Sequence, residues 1–293
     1  MVANADLDKD KAQALAQAYG IPNSYSDYRV MLETEKPDGV LVCVGPDFHA
    51  RCAIELMESG HHVYTEKPPA VDLAQCQQVL KAQNRTGKVC MTAFKKRFAP
   101  AYVKTKGLLE EKTYGEPALL NILRTSGPYQ SGNHYILDSA IHVLDLAAFL
   151  CGSIGSVCAT KGPEATYSIA LTFAGSAVGT LSLTDRMSYR RGWEQVTLIT
   201  TEGLCVQVDN SVEMLAFQHD RPVSAHKPEF VAGTSHSSVE MGFAGELQAF
   251  VDAISRNTVP QSTIAQATHT MAVIEALNRA LQTGEPTEVK GIL

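Results

Sequence analysis

Paired cysteines are missing from this sequence. Its 7 cysteines are an odd number, and none forms a Cys-x-x-Cys pair. A disulfide frame or a zinc knuckle is therefore not expected, and the thiols read as reduced ones in a cytoplasmic protein. Basic excess is missing too: charged residues are 19% and the net charge is -6, which leaves no footprint for nucleic acid or an anionic membrane surface. No run approaches the length needed to span a bilayer. Residues 1–6 have no basic region leading into an apolar core, so they do not read as a secretory signal. Low-complexity segments and internal repeats are absent. The adjacent His61 and His62 point to opposite sides of a strand, which argues against a metal pair. What remains is a chain of 293 residues, 45% hydrophobic, with enough apolar material for two domains.

Taken in order, residues 2–6 read as the tail of a strand. Asp8 is placed to cap a helix over 9–19, and Gly20 and Pro22 stop it. A short helical piece covers 25–35. Residues 40–44, Val-Leu-Val-Cys-Val, form a continuous apolar run, as in a parallel strand covered on both faces. Ala50, Ala53, Ile54 and Met57 recur at i, i+3, i+4 and i+7, giving a helix over 47–59 with one buried stripe. A strand at 63–65, a helix at 71–83 and a strand at 88–94 complete an alternating series, the sign of βαβ units. After about residue 115 the period changes to two. Tyr167, Ile169, Leu171 and Phe173 alternate with small polar residues, and strand–turn–strand patterns follow through Val208. Helical stripes return with Leu247, Phe250, Val251 and Ile254, and again with Ile274, Leu277 and Leu281. The fold class is α/β followed by α+β: a Rossmann-type parallel sheet over 1–115, then a largely antiparallel, open-faced sheet over 116–293.

Two stretches can carry chemistry. In the first, Glu66 and Lys67 lie where a strand must end, because Pro68 has no N–H to give the ladder. The carboxyl ends of parallel strands are where ligands bind. Lys67 is thus a candidate for holding or moving a proton, against the alternative of a solvated Glu–Lys pair. In the second, Asp138, His142 and Asp145 stand at i, i+4 and i+7 of an otherwise apolar helix. A buried imidazole beside a carboxylate gains basicity and suits a general base; the alternative is a structural His–Asp pair that docks two domains. Oxidation of a secondary alcohol would use such a base for the hydroxyl proton, an ammonium such as Lys67 for the alkoxide, and a nicotinamide ring for the hydride. Residues 94–98, Phe-Lys-Lys-Arg-Phe, add cations near the same rim. A solvated turn is the stronger reading for Lys95 than for Lys96 or Arg97.

The run from Gly60 to Pro68, with Glu66-Lys67-Pro68 at its end, resembles the Gly-x-His-Val-x-x-Glu-Lys-Pro motif of the glucose–fructose oxidoreductase, inositol dehydrogenase and MocA family. His49 stands at the matching distance upstream. Lys96-Arg97-Phe98 with Pro100, the Asp138-x-x-x-His142 helix, and the run from Phe243 to Phe250 are similar to later segments of that family. The resemblance implies a nicotinamide-binding Rossmann domain and an open-sheet domain. It further implies NAD(P)-dependent oxidation or reduction of a sugar, cyclitol or related polyol. It places Lys67, Asp138 and His142 at catalytic positions and His49, Glu66, Lys67, Gly45 and Pro46 along the cofactor. Lys96 falls at a substrate-contacting position, together with Lys67 and His142. Val44-Gly45-Pro46 departs from the Thr-Pro-Asn of many members.

A dinucleotide fold also calls for Gly-x-Gly-x-x-Gly and, about 20 residues later, an acid for the ribose. Asp6 matches that acid, and only five residues precede it, so the glycine loop is expected to lie before Met1. Asp6 favours NAD over NADP, because a carboxylate repels a 2′-phosphate. The other class of function is a shortened relative that binds or regulates and holds dinucleotide weakly. The open sheet implies a homodimer or homotetramer, and no metal is expected.

Overall fold

The computed structural model describes residues 1–188, 192–228 and 236–290. Its first half is built on parallel strands in two groups. β1 (Ala3–Ala5) pairs with β2 (Asn23–Tyr25), and β3 (Gly39–Val42), β4 (His62–Thr65) and β5 (Cys90–Thr92) pair in that order. The helices α1 (Lys9–Tyr19), α2 (Tyr28–Glu35), α3 (Pro46–Glu58) and α4 (Leu73–Thr86) connect and follow them. Local chemistry sets their ends. The Asp8 carboxylate accepts from the N–H groups of Asp10 and Lys11, and Gly20 ends α1 at φ 64°. Asp27 and Asp72 cap α2 and α4 in the same way.

Two expectations are corrected here. The helix expected from residue 25 begins at Tyr28, because residues 23–25 pair alongside β1 and Asp27 supplies the cap. The run at 40–44 is not covered on both faces: β3 ends at Val42, and Leu41 is 38% exposed.

A 3₁₀ turn (Lys95–Phe98) and α5 (Pro100–Glu110) lead out of β5 into a nine-stranded sheet. Its strands are β6 (Pro117–Thr125), β7 (Ile154–Lys161), β8 (Thr166–Phe173), β9 (Val178–Thr184), β10 (Glu194–Thr200), β11 (Leu204–Asp209), β12 (Glu213–Gln218), β13 (Arg221–His226) and β14 (Thr287–Glu288). The spatial order is β13-β12-β11-β10-β6-β9-β8-β7-β14, and β6–β9 is the parallel pair in an otherwise antiparallel ladder. The period of two read from residues 167–173 holds: Tyr167, Ile169, Leu171 and Phe173 are buried, and the residues between them face out.

Helices cover the inner face. After β6, α6 (Gly132–Tyr135) passes through a π turn (Ile136–Ala140) into α7 (Ile141–Cys151). The run from Gly132 to Cys151 has the length and apolarity of a membrane span, but 67% of its apolar window is buried inside the protein, as befits a core helix. Beyond α8 (His236–Glu240), α9 (Phe243–Arg256) returns to the first half, where Phe250 packs on Tyr64 with ring centres 5.8 Å apart. Gly39 admits this helix: a Cβ there would lie 2.7 Å from Ile254. The stripe expected on α9 is half right, because Phe250 is buried while Leu247 and Val251 stay exposed. α10 (Ile264–Thr283) packs on α4, α7 and β7 and so spans both halves.

One buried ion pair locks the junction. Arg97 donates from Nε and Nη2 to the two carboxylate oxygens of Asp145, at 2.7 and 2.6 Å, and from Nη1 to the Gln261 carbonyl at 2.8 Å. With arginine gone, Asp145 would keep Thr270 as its remaining side-chain donor. Breaking a buried pair on one side typically costs about 3–5 kcal/mol. Arg97→Leu should therefore lose stability of that order in urea unfolding, and a loss under about 1 kcal/mol would show the pair is not what holds the junction.

Candidate active site

Lys67 leaves the carboxyl end of β4 and reaches across to the π turn. Its Nζ donates to the Asp138 Oδ1 at 2.5 Å and to the Asp138 carbonyl at 3.0 Å. A π turn interrupts the i→i−4 ladder, a feature frequent at functional sites, and here the Asp138 carbonyl takes a side-chain donor. The other carboxylate oxygen accepts from the Tyr129 hydroxyl at 2.8 Å. Burial opposes the Asp138 charge, but the Lys67 and Tyr129 hydrogen bonds outweigh it and hold the carboxyl below its ordinary value. An ammonium has three N–H groups, so Lys67 keeps one beyond these two bonds. Sequence reasoning missed Tyr129, whose Gly- and Pro-rich surroundings carry no periodic signal.

His142 does not pair with Asp138, which corrects the expected arrangement. The carboxylate goes instead to the Lys67 ammonium and the Tyr129 hydroxyl. Asp145 goes to Arg97 instead. The His142 ring is 8% exposed, its Nδ1 has no partner among the described residues, and it meets Phe94 edge-on. Burial, then the positive charges of Lys67, Lys96, Arg124 and Lys95, push its pKa well below the usual value. The expected gain in basicity is thus reversed, and the ring is a neutral imidazole at pH 7.

The cations of residues 95–97 part company. Lys96 is buried, donating to Glu194 Oε1 at 2.5 Å and to the Ser211 hydroxyl at 2.6 Å. Glu194 also accepts from Arg124 at 2.8 Å and from the Tyr102 hydroxyl at 3.0 Å. Its carboxyl drops to about 2, the Lys96 and Arg124 charges overcoming the burial that opposes them. Lys96, expected at a substrate-contacting position, is thus held in a buried pair with Glu194, with one N–H of its ammonium beyond these two bonds. Lys95, read as solvated, is half-buried with its Nζ 3.8 Å from the centre of the Phe243 ring. Burial, and then the charges of Lys96 and Arg124, lower its pKa to about 8.

The strand ends form a shelf beside this cluster. Gly45 starts α3 without a side-chain cap, and Pro46 occupies its first turn. His49 is buried, with Nδ1 2.6 Å from the Pro68 carbonyl and Nε2 2.9 Å from the Val44 carbonyl, so it braces the two loops that make the shelf. Glu66 accepts from the Lys67 backbone N–H at 3.2 Å. Asp6 lies exposed at the end of β1 and accepts from the Asp8 N–H at 2.8 Å. The N-terminus of α1 beside it is closed by the Asp8 carboxylate. Under the shelf, Glu246 of α9 is 2% exposed and its Oε2 has no partner among the described residues.

Residues 1–94 match the family model described as an oxidoreductase family with an NAD-binding Rossmann fold, Gfo/Idh/MocA. The match to the Gfo/Idh/MocA family thus falls on the first, Rossmann-type half of the chain. Among its relatives, the myo-inositol 2-dehydrogenase of Thermotoga maritima is 26% identical over 214 residues, covering 67% of this chain and 63% of that protein. The D-glucoside 3-dehydrogenase of Escherichia coli is 32% identical over 166 residues, covering 52% and 46%. These matches therefore span about half to two-thirds of either relative. In structure, a levoglucosan dehydrogenase complex with NADH and levoglucosan superposes with a TM-score of 0.87 at 20% identity, over 100% of this chain and 91% of that one. At that identity the likeness shows the fold, a Rossmann domain joined to a mixed sheet.

Glu246 opens a test of the shelf. Burial, chiefly, raises its pKa from 4.5 to about 8, with the Glu66 charge adding to the rise. The folded protein thus holds a proton that the unfolded chain releases, and stability falls as pH rises from about 5 through 8. Each pKa unit corresponds to about 1.4 kcal/mol. Glu246→Gln should flatten this fall and gain on the order of a few kcal/mol over the parent at pH 8.5, with little gain at pH 5. Parallel curves in urea unfolding at the two pH values would sink the assignment.

Proposed function

We propose that this chain is an NAD(P)-dependent dehydrogenase that moves hydride between a nicotinamide and a secondary alcohol of a sugar, cyclitol or related polyol in the cytoplasm. The observation that carries the reading is Lys67, an ammonium with one uncommitted N–H at a strand's carboxyl end, whose charge acts on a buried imidazole with an unpartnered nitrogen. The family and its sugar- and inositol-oxidising relatives support it over a purely regulatory role.

The uncapped N-terminus of α3 and the loops braced by His49 leave backbone N–H groups at the strand ends, which fits a dinucleotide. Gly45, Pro46 and Glu66 would line it, with Asp6 at the ribose favouring NAD. When bound, the nicotinamide supplies the hydride acceptor. Lys67 donates its free N–H to the substrate oxygen and steadies it as negative charge develops, while Asp138 and Tyr129 fix where the ammonium points. His142, neutral before reaction, accepts the hydroxyl proton. The second half, residues 116–293, holds the substrate and associates with copies of itself. That association uses the outer face of the sheet, where Leu119, Cys158, Ala170 and Val178 line a shallow groove.

Titration with NADH and NADPH by nicotinamide fluorescence should give tighter binding of NADH; absence of both, or tighter NADPH, would count against the reading. His142→Ala should lower turnover by about 10²–10⁴-fold with cofactor affinity nearly kept. Lys67→Ala should harm turnover and substrate binding together. With no His142 protonation near pH 6.5, turnover should show no loss there of the kind an ordinary histidine base gives. Full activity in His142→Ala would remove it from the chemistry. Light scattering at micromolar concentration should report a dimer or tetramer, and a monomeric mass would reject the sheet as an interface.

A further inference from the structure

Around His142 the protein gathers four cations, Lys67, Lys95, Lys96 and Arg124. Carboxylates match them incompletely. Lys67 has Asp138 at 2.5 Å, whereas Lys96 and Arg124 share the single carboxylate of Glu194, at 2.5 and 2.8 Å. Lys95 has no carboxylate within ion-pair distance among the described residues and rests on the Phe243 ring. Arg97 lies outside this count because Asp145 takes it completely. Of the two remaining acids of the shelf, Glu66 acts on Cys43 and Tyr64, while Glu246 acts on Tyr64 and weakly on Lys95; neither forms an ion pair with Lys95 or Arg124 among the described residues.

Arg124 donates from Nε to the Ser139 hydroxyl at 3.0 Å and from Nη1 to Glu194. Its Nη2 makes no hydrogen bond among the described residues, and the side chain is 24% exposed. Lys95 and this edge of Arg124 thus carry positive charge with no ion-pair partner of its own among the described residues, Lys95 feeling Glu246 and Glu194 only at longer range, and both lie within electrostatic reach of the imidazole. A half-buried cation without an ion-pair partner is disfavoured, and a ligand that brings the opposite charge relieves it.

We propose that the substrate is a polyol carrying an anionic group, a carboxylate or a phosphate, received by Lys95 and the free edge of Arg124 while the reacting hydroxyl lies against Lys67 and His142. The inference rests on the dehydrogenase reading and names its substrate class. It also accounts for a difficulty in that reading. The surrounding cations make His142 a weak proton acceptor, and an anion seated on two of them offsets their field when the proton must move. A neutral sugar supplies no such charge.

The test compares a neutral hexitol, the corresponding aldonate and the corresponding hexose phosphate as substrates of the purified chain with NAD. Calorimetric binding of the same three compounds in the presence of NADH gives a readout independent of turnover. One anionic compound should exceed the neutral one by at least about tenfold in kcat/KM and in affinity, about 1.4 kcal/mol, and whichever anion leads identifies the group. In Lys95→Gln that preference should shrink about tenfold, and salt near 0.5 M should weaken it in the parent. A neutral polyol used as well as either anion overturns the proposal and leaves the dehydrogenase reading intact. Anion binding without turnover of any compound sinks the dehydrogenase reading while keeping the anion site. Undiminished preference in Lys95→Gln removes Lys95 from it.

Discussion

The bond between Lys67 and Asp138 is the interaction on which the site depends. It joins the end of a parallel strand to a helix of the other half, so neither half alone contains the arrangement. Pro68 ends the strand by withholding an N–H, and Lys67 takes the Asp138 carbonyl, within the π turn, at 3.0 Å. Tyr129 then occupies the remaining carboxylate oxygen. With both acceptor atoms used and the ammonium held by two bonds, Lys67 retains one direction in which to donate.

That choice by Asp138 determines the character of His142. Three carboxylates lie near the helix, and each is drawn to a cation: Asp138 to Lys67, Asp145 to Arg97, Glu194 to Lys96 and Arg124. Each acid is thus taken by donors other than the ring, and among the described residues the histidine is left without a carboxylate. The result is an imidazole kept neutral by burial and by like charge around it. The four cations around it, with no carboxylate hydrogen-bonded to the ring among the described residues, oppose a proton there.

Where the determinants were local, the sequence was readable. Asp8 and Gly20 bound α1, Ala50, Ala53 and Met57 form the buried stripe of α3, and alternation marks β8, because caps and periods act over a few residues. The strand-end lysine was readable for the same reason. The allocation of charge was not. Lys96 finds Glu194 and Ser211 at separations of 98 and 115 residues, and no spacing rule links them. The inference that Asp138 and His142 share a bond assumed an uninterrupted α-helix and no competitor, and the π turn and Lys67 removed both conditions. Residues 23–25 became a strand because pairing with β1 overrode a short helical pattern.

The fate of the three consecutive cations follows from the turn that carries them. A 3₁₀ helix has 3.0 residues per turn, so side chains at successive positions leave about 120° apart. Lys95, Lys96 and Arg97 accordingly reach three separate surroundings: the Phe243 ring on α9, the Glu194 and Ser211 pocket of the sheet, and Asp145 on α7. Gly242 lets α9 begin against this turn, since at φ 89° its missing Cβ would otherwise lie 2.0 Å from the Lys95 carbonyl. Two of the three directions end in buried acids that tie the halves together. The third ends on an aromatic face that attracts a cation without neutralising it. One short turn thus supplies both the ion pairs that join the halves and a cation with no ion-pair partner among the described residues.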